Sequence, residues 1–343
     1  MYRPTKGDNK IFDLARQDPN FFSDYYLRTE MSGTWWLPGA KLDRFKVPYD
    51  NLYKEWRKEL KAPVFKYMGK TFKTIYEHER YMDYPDEPAF FQNHGLMFLP
   101  YHKMLHFDRT TIRTVIGGFG SAKTFGMILS DLANGCLLSN YRSFFLAPES
   151  TQAEEGYTIA LNIITGTKFE ERFLIGHRSK PRPSITFGHE GVGESILEFF
   201  PIANNEHKLR TLTGDRAVVD QAEHHQMDLE EIIRSVGTRF RGRVPRDGRE
   251  RVGTMTFLAN SSDNMELWDL FDKAEDNPKH YLSIAPHSTD NPYLTERDLE
   301  RFEVVVGDTD EDKEVYMKGK RPVGDGDHFS KEVLLAMQDP TLD

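Results

Sequence analysis

The rhythm of hydrophobic and polar positions in this chain of 343 residues changes near residue 95. Beyond that point short apolar runs alternate with longer stretches of helical period, the pattern of a sheet whose strands are joined by helices. The runs predict strands over Ile112–Ile116, Ser143–Ala147, Ser195–Phe200, Ala217–Asp220, Thr254–Asn260 and His280–Ala285. Helical spacing predicts Phe125–Leu138, Ser150–Ile164 and Leu229–Val236 between them. Several strands end in polar residues at their carboxyl ends, where open α/β sheets take ligands. Residues 1 to 95 are less periodic. Asp18-Pro19-Asn20 sets a proline in the first turn of a helix over FFSDYYLRT. In NLYKEWRKELK, Leu52, Trp56 and Leu60 share one helical face. Acidic, proline-containing YMDYPDEPAF (81–90) reads as a boundary loop. Trp35 and Trp36 lie side by side in a turn-rich stretch, either as a platform for a nucleotide base or packed against the next domain.

Composition narrows the choices. The length suits about two domains. No apolar run reaches the ~18 residues of a membrane span, and no signal-peptide pattern opens the sequence. Cys136 is the only cysteine, which excludes internal disulfides and suits a reducing compartment. The net charge of −9 means that contact with nucleic acid requires a local basic patch.

Three motifs carry chemistry. The first is TIRTVIGGFGSAKTFGMIL (111–129), a strand, a glycine-rich loop and the start of an apolar helix. That order makes a P-loop. Backbone N–H groups of Gly117, Gly118, Phe119, Gly120, Ser121 and Ala122 curl around phosphate, Lys123 reaches the outer phosphates, and the Thr124 hydroxyl holds Mg²⁺. Ala122 replaces the last glycine of the usual motif, a modest change at negative φ and a costly one at positive φ. The second is Arg216-Ala-Val-Val-Asp220-Gln221-Ala-Glu223, an apolar strand ending in an Asp suited to Mg²⁺. The position after Asp220, often the catalytic Glu, is Gln221. A neutral amide positions water without taking its proton, so Glu223 is the better general base, with Gln221 as the alternative. The third is Thr254–Ser262, a strand whose end at Asn260 is fitted to sense the γ-phosphate. Ahead of it, Arg239–Arg251 holds six Arg against two acids, suited to phosphates or simply solvated and locally paired.

The chain resembles the ATPase portion of the large terminases of tailed bacteriophages. The resemblance rests on GGFGSAKT (117–124), FLAPESTQAEEGY (145–157), LRTLTGDRAVVDQAE (209–223), FLANSS (257–262), DNPYLTERDLERF (290–302) and YMKGKRPVGDGDHFS (316–330). It implies a RecA-like α/β P-loop ATPase of the additional-strand, catalytic-glutamate class, with a mostly parallel sheet and a small lid subdomain. The implied division is 1–95 as N-terminal extension and part of the lid, 96–290 as ATPase core, and 291–343 as lid segment and linker. The implied activity is ATP hydrolysis with Mg²⁺, coupled to translocation of double-stranded DNA into a procapsid in the host cytoplasm. The implied partners are the portal protein, the small terminase subunit and further copies in a ring, and no membrane.

This chain departs from the relatives' pattern in two places. Many relatives carry Arg where Phe119 stands, which removes an in-loop arginine. They also place an adenine-recognising Gln where LPYHKMLHF stands, leaving His102 or Lys103 as substitutes, or none. The trans-acting arginine finger is then expected at Arg210, where relatives place an L-R-x-G-like element. Arg216 comes second and the 239–251 arginines third. The relatives' nuclease domain would follow the linker, and no cutting of DNA is expected from these 343 residues, in which Asp325 and Asp327 lack neighbouring carboxylates. Two other classes remain open: another DNA-dependent translocase or helicase, and a non-catalytic nucleotide-binding scaffold.

Overall fold

The computed structural model describes residues 1–16, 19–27, 65–67, 70–72, 98–108, 110–240, 253–291, 294, 296–307 and 309–322. Helices α1 (Lys6–Ala15) and α2 (Asn20–Tyr26) come first, then a hairpin of β1 (Phe65–Tyr67) and β2 (Lys70–Phe72), then α3 (Pro100–Phe107). The main body runs β3 (Ile112–Gly117), α4 (Lys123–Leu137), β4 (Arg142–Ala147), α5 (Ser150–Ile164), α6 (Lys168–Phe173), β5 (Leu174–Arg178), β6 (Ser184–His189) and β7 (Gly193–Pro201). It continues with α7 (Glu206–Leu209), β8 (Arg216–Val219), α8 (Leu229–Gly237), β9 (Thr254–Asn260), α9 (Met265–Asp276) and β10 (Tyr281–Ile284), followed by α10 (Glu296–Val306) and α11 (Asp310–Lys318).

Strands β3 to β10 form one sheet in the order β10-β3-β9-β8-β4-β7-β6-β5. The first six in that order are parallel, and β6 runs against them. Parallel strands are covered on both faces, and the sequence shows why these are. In β3, β4, β8 and β9 successive residues feed two separate cores. Val115, Phe145, Val218 and Leu258 point to a layer made by α4, α5 and the N-terminal helices. Ile116, Phe144, Val219 and Phe257 point to a layer made by α8 and α9. From β3 the chain crosses by α4 to β4, leaving room that β8 and β9 fill later. Strand β9 therefore stands between the glycine-loop strand β3 and the Asp220 strand β8, which is the additional-strand arrangement.

All six predicted strands are present, with bounds shifted by a residue or two, and so are the three predicted core helices. Strands β5 and β6 extend the sheet beyond prediction, because LIGHR at the exposed edge has no sustained apolar run. The predicted helix after Pro19 is α2. The helix over 51–61, Trp35, Trp36, the 81–90 loop, Asp325 and Asp327 lie outside the described residues, as does the arginine loop beyond Phe240.

Helix α1 is fixed by a buried carboxylate. Asp8 accepts from the Tyr2 hydroxyl (2.6 Å), the Thr5 N–H (2.8 Å) and hydroxyl (2.7 Å), the Tyr26 hydroxyl (2.8 Å) and Arg172 of α6 (2.6 Å). Phe12 stacks on His189 of β6 and on Tyr26, so both N-terminal helices join the core over the antiparallel end of the sheet.

Candidate nucleotide site

Strand β3 delivers the glycine loop to the carboxyl edge of the sheet, and α4 carries the chain away from it. Two loop residues take positive φ, Gly120 (+69°) and Ala122 (+66°). Gly120 does so freely, with Phe302 of α10 lying against it. Ala122 carries its Cβ into the left-handed region at a cost of about 1–2 kcal/mol. The Gly-to-Ala departure therefore falls where a glycine is wanted.

The loop is clamped from behind by distant segments. Gly118 N–H donates to the Pro286 carbonyl (2.9 Å) and Phe119 N–H to the Tyr316 carbonyl (2.9 Å). Asn291 Nδ2 donates to the Gly120 carbonyl (2.6 Å) and the Tyr101 hydroxyl to the Ser121 carbonyl (2.5 Å). A Cβ on Gly118 would overlap the Met317 carbonyl, which explains the glycine there. The Phe119 ring stacks on Tyr316, with centroids 5.8 Å apart.

In front of the loop lies a cleft of about 350 Å³, lined by residues 119–125, Ile159, Asp220, Gln221, Glu223 and 258–260. Lys123 Nζ donates to the carbonyls of Gly117 (3.1 Å) and Gly118 (3.0 Å), to Ser121 Oγ (3.2 Å) and to Asn260 Oδ1 (3.1 Å). Burial pulls its pKa down to about 8, against the opposing charges of Glu223 and Asp220. Asn260 faces both ways. While its amide oxygen accepts from Lys123, its Nδ2 and backbone N–H donate to Glu223 Oε1 at 2.9 and 3.0 Å. Glu223 Oε2 is buried and unpaired among the described residues.

The Thr124 hydroxyl donates to Asp220 Oδ1 at 2.8 Å. Burial raises Asp220 to about 6, with the Thr124 hydrogen bond and the Lys123 charge opposing. This hydroxyl–carboxylate pair at the start of α4 fits Mg²⁺, which takes one or two protein ligands and completes its shell with nucleotide phosphates and water. Among the described residues there is no group of three His, Cys, Asp or Glu able to hold a metal without a nucleotide.

The structure thus brings Ala122, Lys123, Thr124, Asp220, Gln221, Glu223 and Asn260 together with Phe119, Gly120 and Ser121. Several expectations need correction. His102 is fully buried beneath the loop, not in the cleft. Its Nδ1 accepts from Leu99 N–H (3.1 Å) and its Nε2 meets the Ala122 carbonyl (3.0 Å). Burial lowers its pKa to about 3, so the ring is neutral, and a Cβ on Gly126 would strike it. Its role is to support the loop, and Lys103 beside it is buried too. Gly117 and Gly118 sit behind the cleft against Pro286 and Met317 and do not line it. Arg216 is 3% exposed and paired with Asp131 of α4 at 3.2 Å, so it joins the loop helix to β8 and cannot reach a neighbouring molecule. Arg210 lies outside the cleft, 70% exposed and 3.9 Å from Glu231. The sequence reading missed Tyr101, Pro286, Asn291 and Tyr316 as loop supports. They lie up to about two hundred residues from the loop, and although Asn291 and Tyr316 fall in stretches that carry the resemblance, nothing local says that they reach back to the glycine loop.

No protein-family profile matches the chain, and no curated protein does. Solved structures do. The large terminase of bacteriophage HK97 superposes with a TM-score of 0.51 at 12% identity, over 66% of this chain and 51% of that one. The large terminase ATPase domain of Thermus phage P74-26 gives 0.44 at 15% identity, over 63% of this chain and 90% of that one. The large terminase of a thermophilic bacteriophage in complex with ATP-gamma-S gives 0.44 at 13% identity, over 63% and 48%. The chain therefore spans about half the length of the whole terminases it matches. What it shares with the HK97 protein is the fold, the mostly parallel sheet of a RecA-like P-loop ATPase as in terminase ATPase domains.

Proposed function

We propose that this chain is an ATP-hydrolysing motor domain of the large-terminase kind, which drives double-stranded DNA into a viral procapsid in the host cytoplasm. The observation that carries the reading is the chain of contacts Lys123–Asn260–Glu223 beside the Thr124–Asp220 pair. A bound triphosphate draws Lys123 Nζ from the loop carbonyls onto the β- and γ-phosphates, while the first-turn N–H groups of α4 meet phosphate oxygens. Thr124 and Asp220 would hold Mg²⁺, which would supply neutralisation of the developing negative charge. Water attacks the γ-phosphorus and its proton passes to Glu223 Oε2, while the bond to the β-phosphate oxygen breaks to leave ADP and phosphate. Asn260 holds Oε1 throughout, and losing Lys123 from its amide oxygen reports that phosphate has arrived. In this reading residues 291–343 act with the N-terminal extension as lid and linker around a 96–290 core. Portal protein, small terminase subunit and further copies of the chain complete the motor.

The test is ATP turnover with and without duplex DNA, alongside nucleotide binding. Lys123→Ala should lose at least about 10²-fold in turnover while remaining folded, because it removes charge stabilisation on the transferred group. Glu223→Gln should lose turnover but keep Mg·ATP binding, and Gln221→Ala should be milder. Unchanged turnover in folded Lys123→Ala overturns the ATPase reading. A reversed ranking of the other two makes Gln221 the water-positioning group.

A further inference from the structure

Residues 172 to 189 contain four Arg or Lys and no acid, in a chain of net charge −9. Arg172 is bound to Asp8. Of the other three, Arg178 closes β5, and Lys180 and Arg182 fall on the turn between β5 and β6. Arg178 and Lys180 are exposed and Arg182 is half-exposed, and among the described residues none has a carboxylate within salt-bridge distance. The registered acid next to this turn is Glu198, opposite Ser184, and it is occupied by Arg142 at 3.0 Å. The turn is also shaped. Arg178 Nε donates to the Arg182 carbonyl (3.1 Å), and the Arg182 guanidinium lies over the Phe200 ring at 5.0 Å.

Topology fixes where this turn stands. Strand β6 is antiparallel to β7 and β5 antiparallel to β6, so the β5–β6 turn lies at the carboxyl end of the parallel strands. Phe200, under Arg182, registers with Leu146, which registers with Val219, the residue before Asp220. The turn is thus on the same end of the sheet as the nucleotide cleft, four strand spacings or about 19 Å from β8.

We propose that the β5–β6 turn is a contact for the phosphate backbone of duplex DNA, a reading that rests on the motor function above. Arginine forks suit phosphate oxygens, and unpaired cations release counterions when they meet them. The alternative is that the cations merely keep the open β5 edge from pairing with another sheet.

Binding of a labelled duplex of about 30 base pairs to the wild-type chain is compared, from 50 to 200 mM salt, with the triple variant Arg178→Gln, Lys180→Gln, Arg182→Gln. A charge control, Arg3→Gln, Lys273→Gln, Lys313→Gln, removes equal charge from exposed ion pairs elsewhere. Circular dichroism and thermal melting establish that each variant folds. The turn variant should bind roughly tenfold or more weakly at low salt, with a log–log salt slope shallower by about 2.7. The control should follow the wild type, and DNA-free ATP turnover should be unchanged in all three. Equal binding and slope in the turn variant overturn the assignment and leave the motor reading standing, and so does an equal loss in the control. Self-association of the turn variant with unchanged DNA binding makes the cations an edge guard and also overturns it. A wild type that turns over ATP but does not bind duplex DNA at 50 mM salt overturns the motor reading and this contact together.

Discussion

Ala122 is where the glycine loop costs stability. At φ +66° its methyl group meets the following carbonyl, and glycine would avoid that at the price of a freer unfolded chain. Ala122→Gly should stabilise the protein by about 0.5–1 kcal/mol, raising the melting temperature by roughly 2 °C or less. Calorimetry checks this, and a lower melting temperature would show that the loop draws support from that methyl. Asn260 allows a sharper test, because one amide links Lys123 to Glu223, the proposed general base. Asn260→Ala should lower ATP turnover by about 10²-fold, the usual consequence of a reacting group displaced by an ångström. Nucleotide affinity should change far less, since the first-turn N–H groups of α4 and Lys123 remain. Turnover and equilibrium binding measured on one preparation separate the two effects.

At the scale of elements, α1 and α2 hang on the Asp8 carboxylate. Burial alone would raise its pKa, but the hydrogen bonds from Tyr2, Thr5 and Tyr26 outweigh burial and hold it well below the usual range. With the folded pKa depressed, the stabilisation is complete above the unfolded value of about 4 and is lost as pH falls below it. Asp8→Ala should cost about 3 kcal/mol by stranding Arg172 and three hydroxyls, and should flatten the acid limb of a denaturation curve recorded from pH 5 to 2. An acid limb as steep as the wild type's would place that pH dependence on other carboxylates. This anchor was not legible in the sequence, since it joins residues 2, 5, 8, 26 and 172 without any periodic mark. The parallel core was legible because burial on both faces favours short apolar runs such as Val115-Ile116 in β3, Ala217–Val219 in β8 and Phe257–Ala259 in β9. Lys123, Thr124, Asp220 and Asn260 were legible for a related reason, as polar residues that close or follow such runs. His102 misled because a histidine close in sequence to a binding loop reads the same whether it faces the ligand or holds the loop from below. Only packing against Gly126 decides that.

At the scale of the whole molecule, the exposed guanidinium of Arg210 is free to leave Glu231, an exposed pair at 3.9 Å that is worth little. If it completes a neighbour's site, two dead proteins should rescue one another. Arg210→Ala keeps an intact cleft and Lys123→Ala keeps the finger. Mixed under assembling conditions, they should recover part of the turnover that neither shows alone, with the finger worth ~10³-fold or more. No recovery with assembly verified by scattering would confine Arg210 to its own subunit. The clamp behind the glycine loop has a mechanical consequence as well. The Pro286 and Tyr316 carbonyls hold Gly118 and Phe119, and Ser261, next to Asn260, donates to the Lys320 carbonyl at 2.5 Å. A pull on residues 316–322 therefore runs through two hydrogen bonds, Tyr316 to Phe119 and Lys320 to Ser261, into the tips of β3 and β9 before it loads the rest of the sheet. Tension on that segment and occupancy of the cleft act on the same few atoms, so in the proposed motor an opposing load would slow the chemistry directly, as a brake on the fuel supply and not only on the cargo.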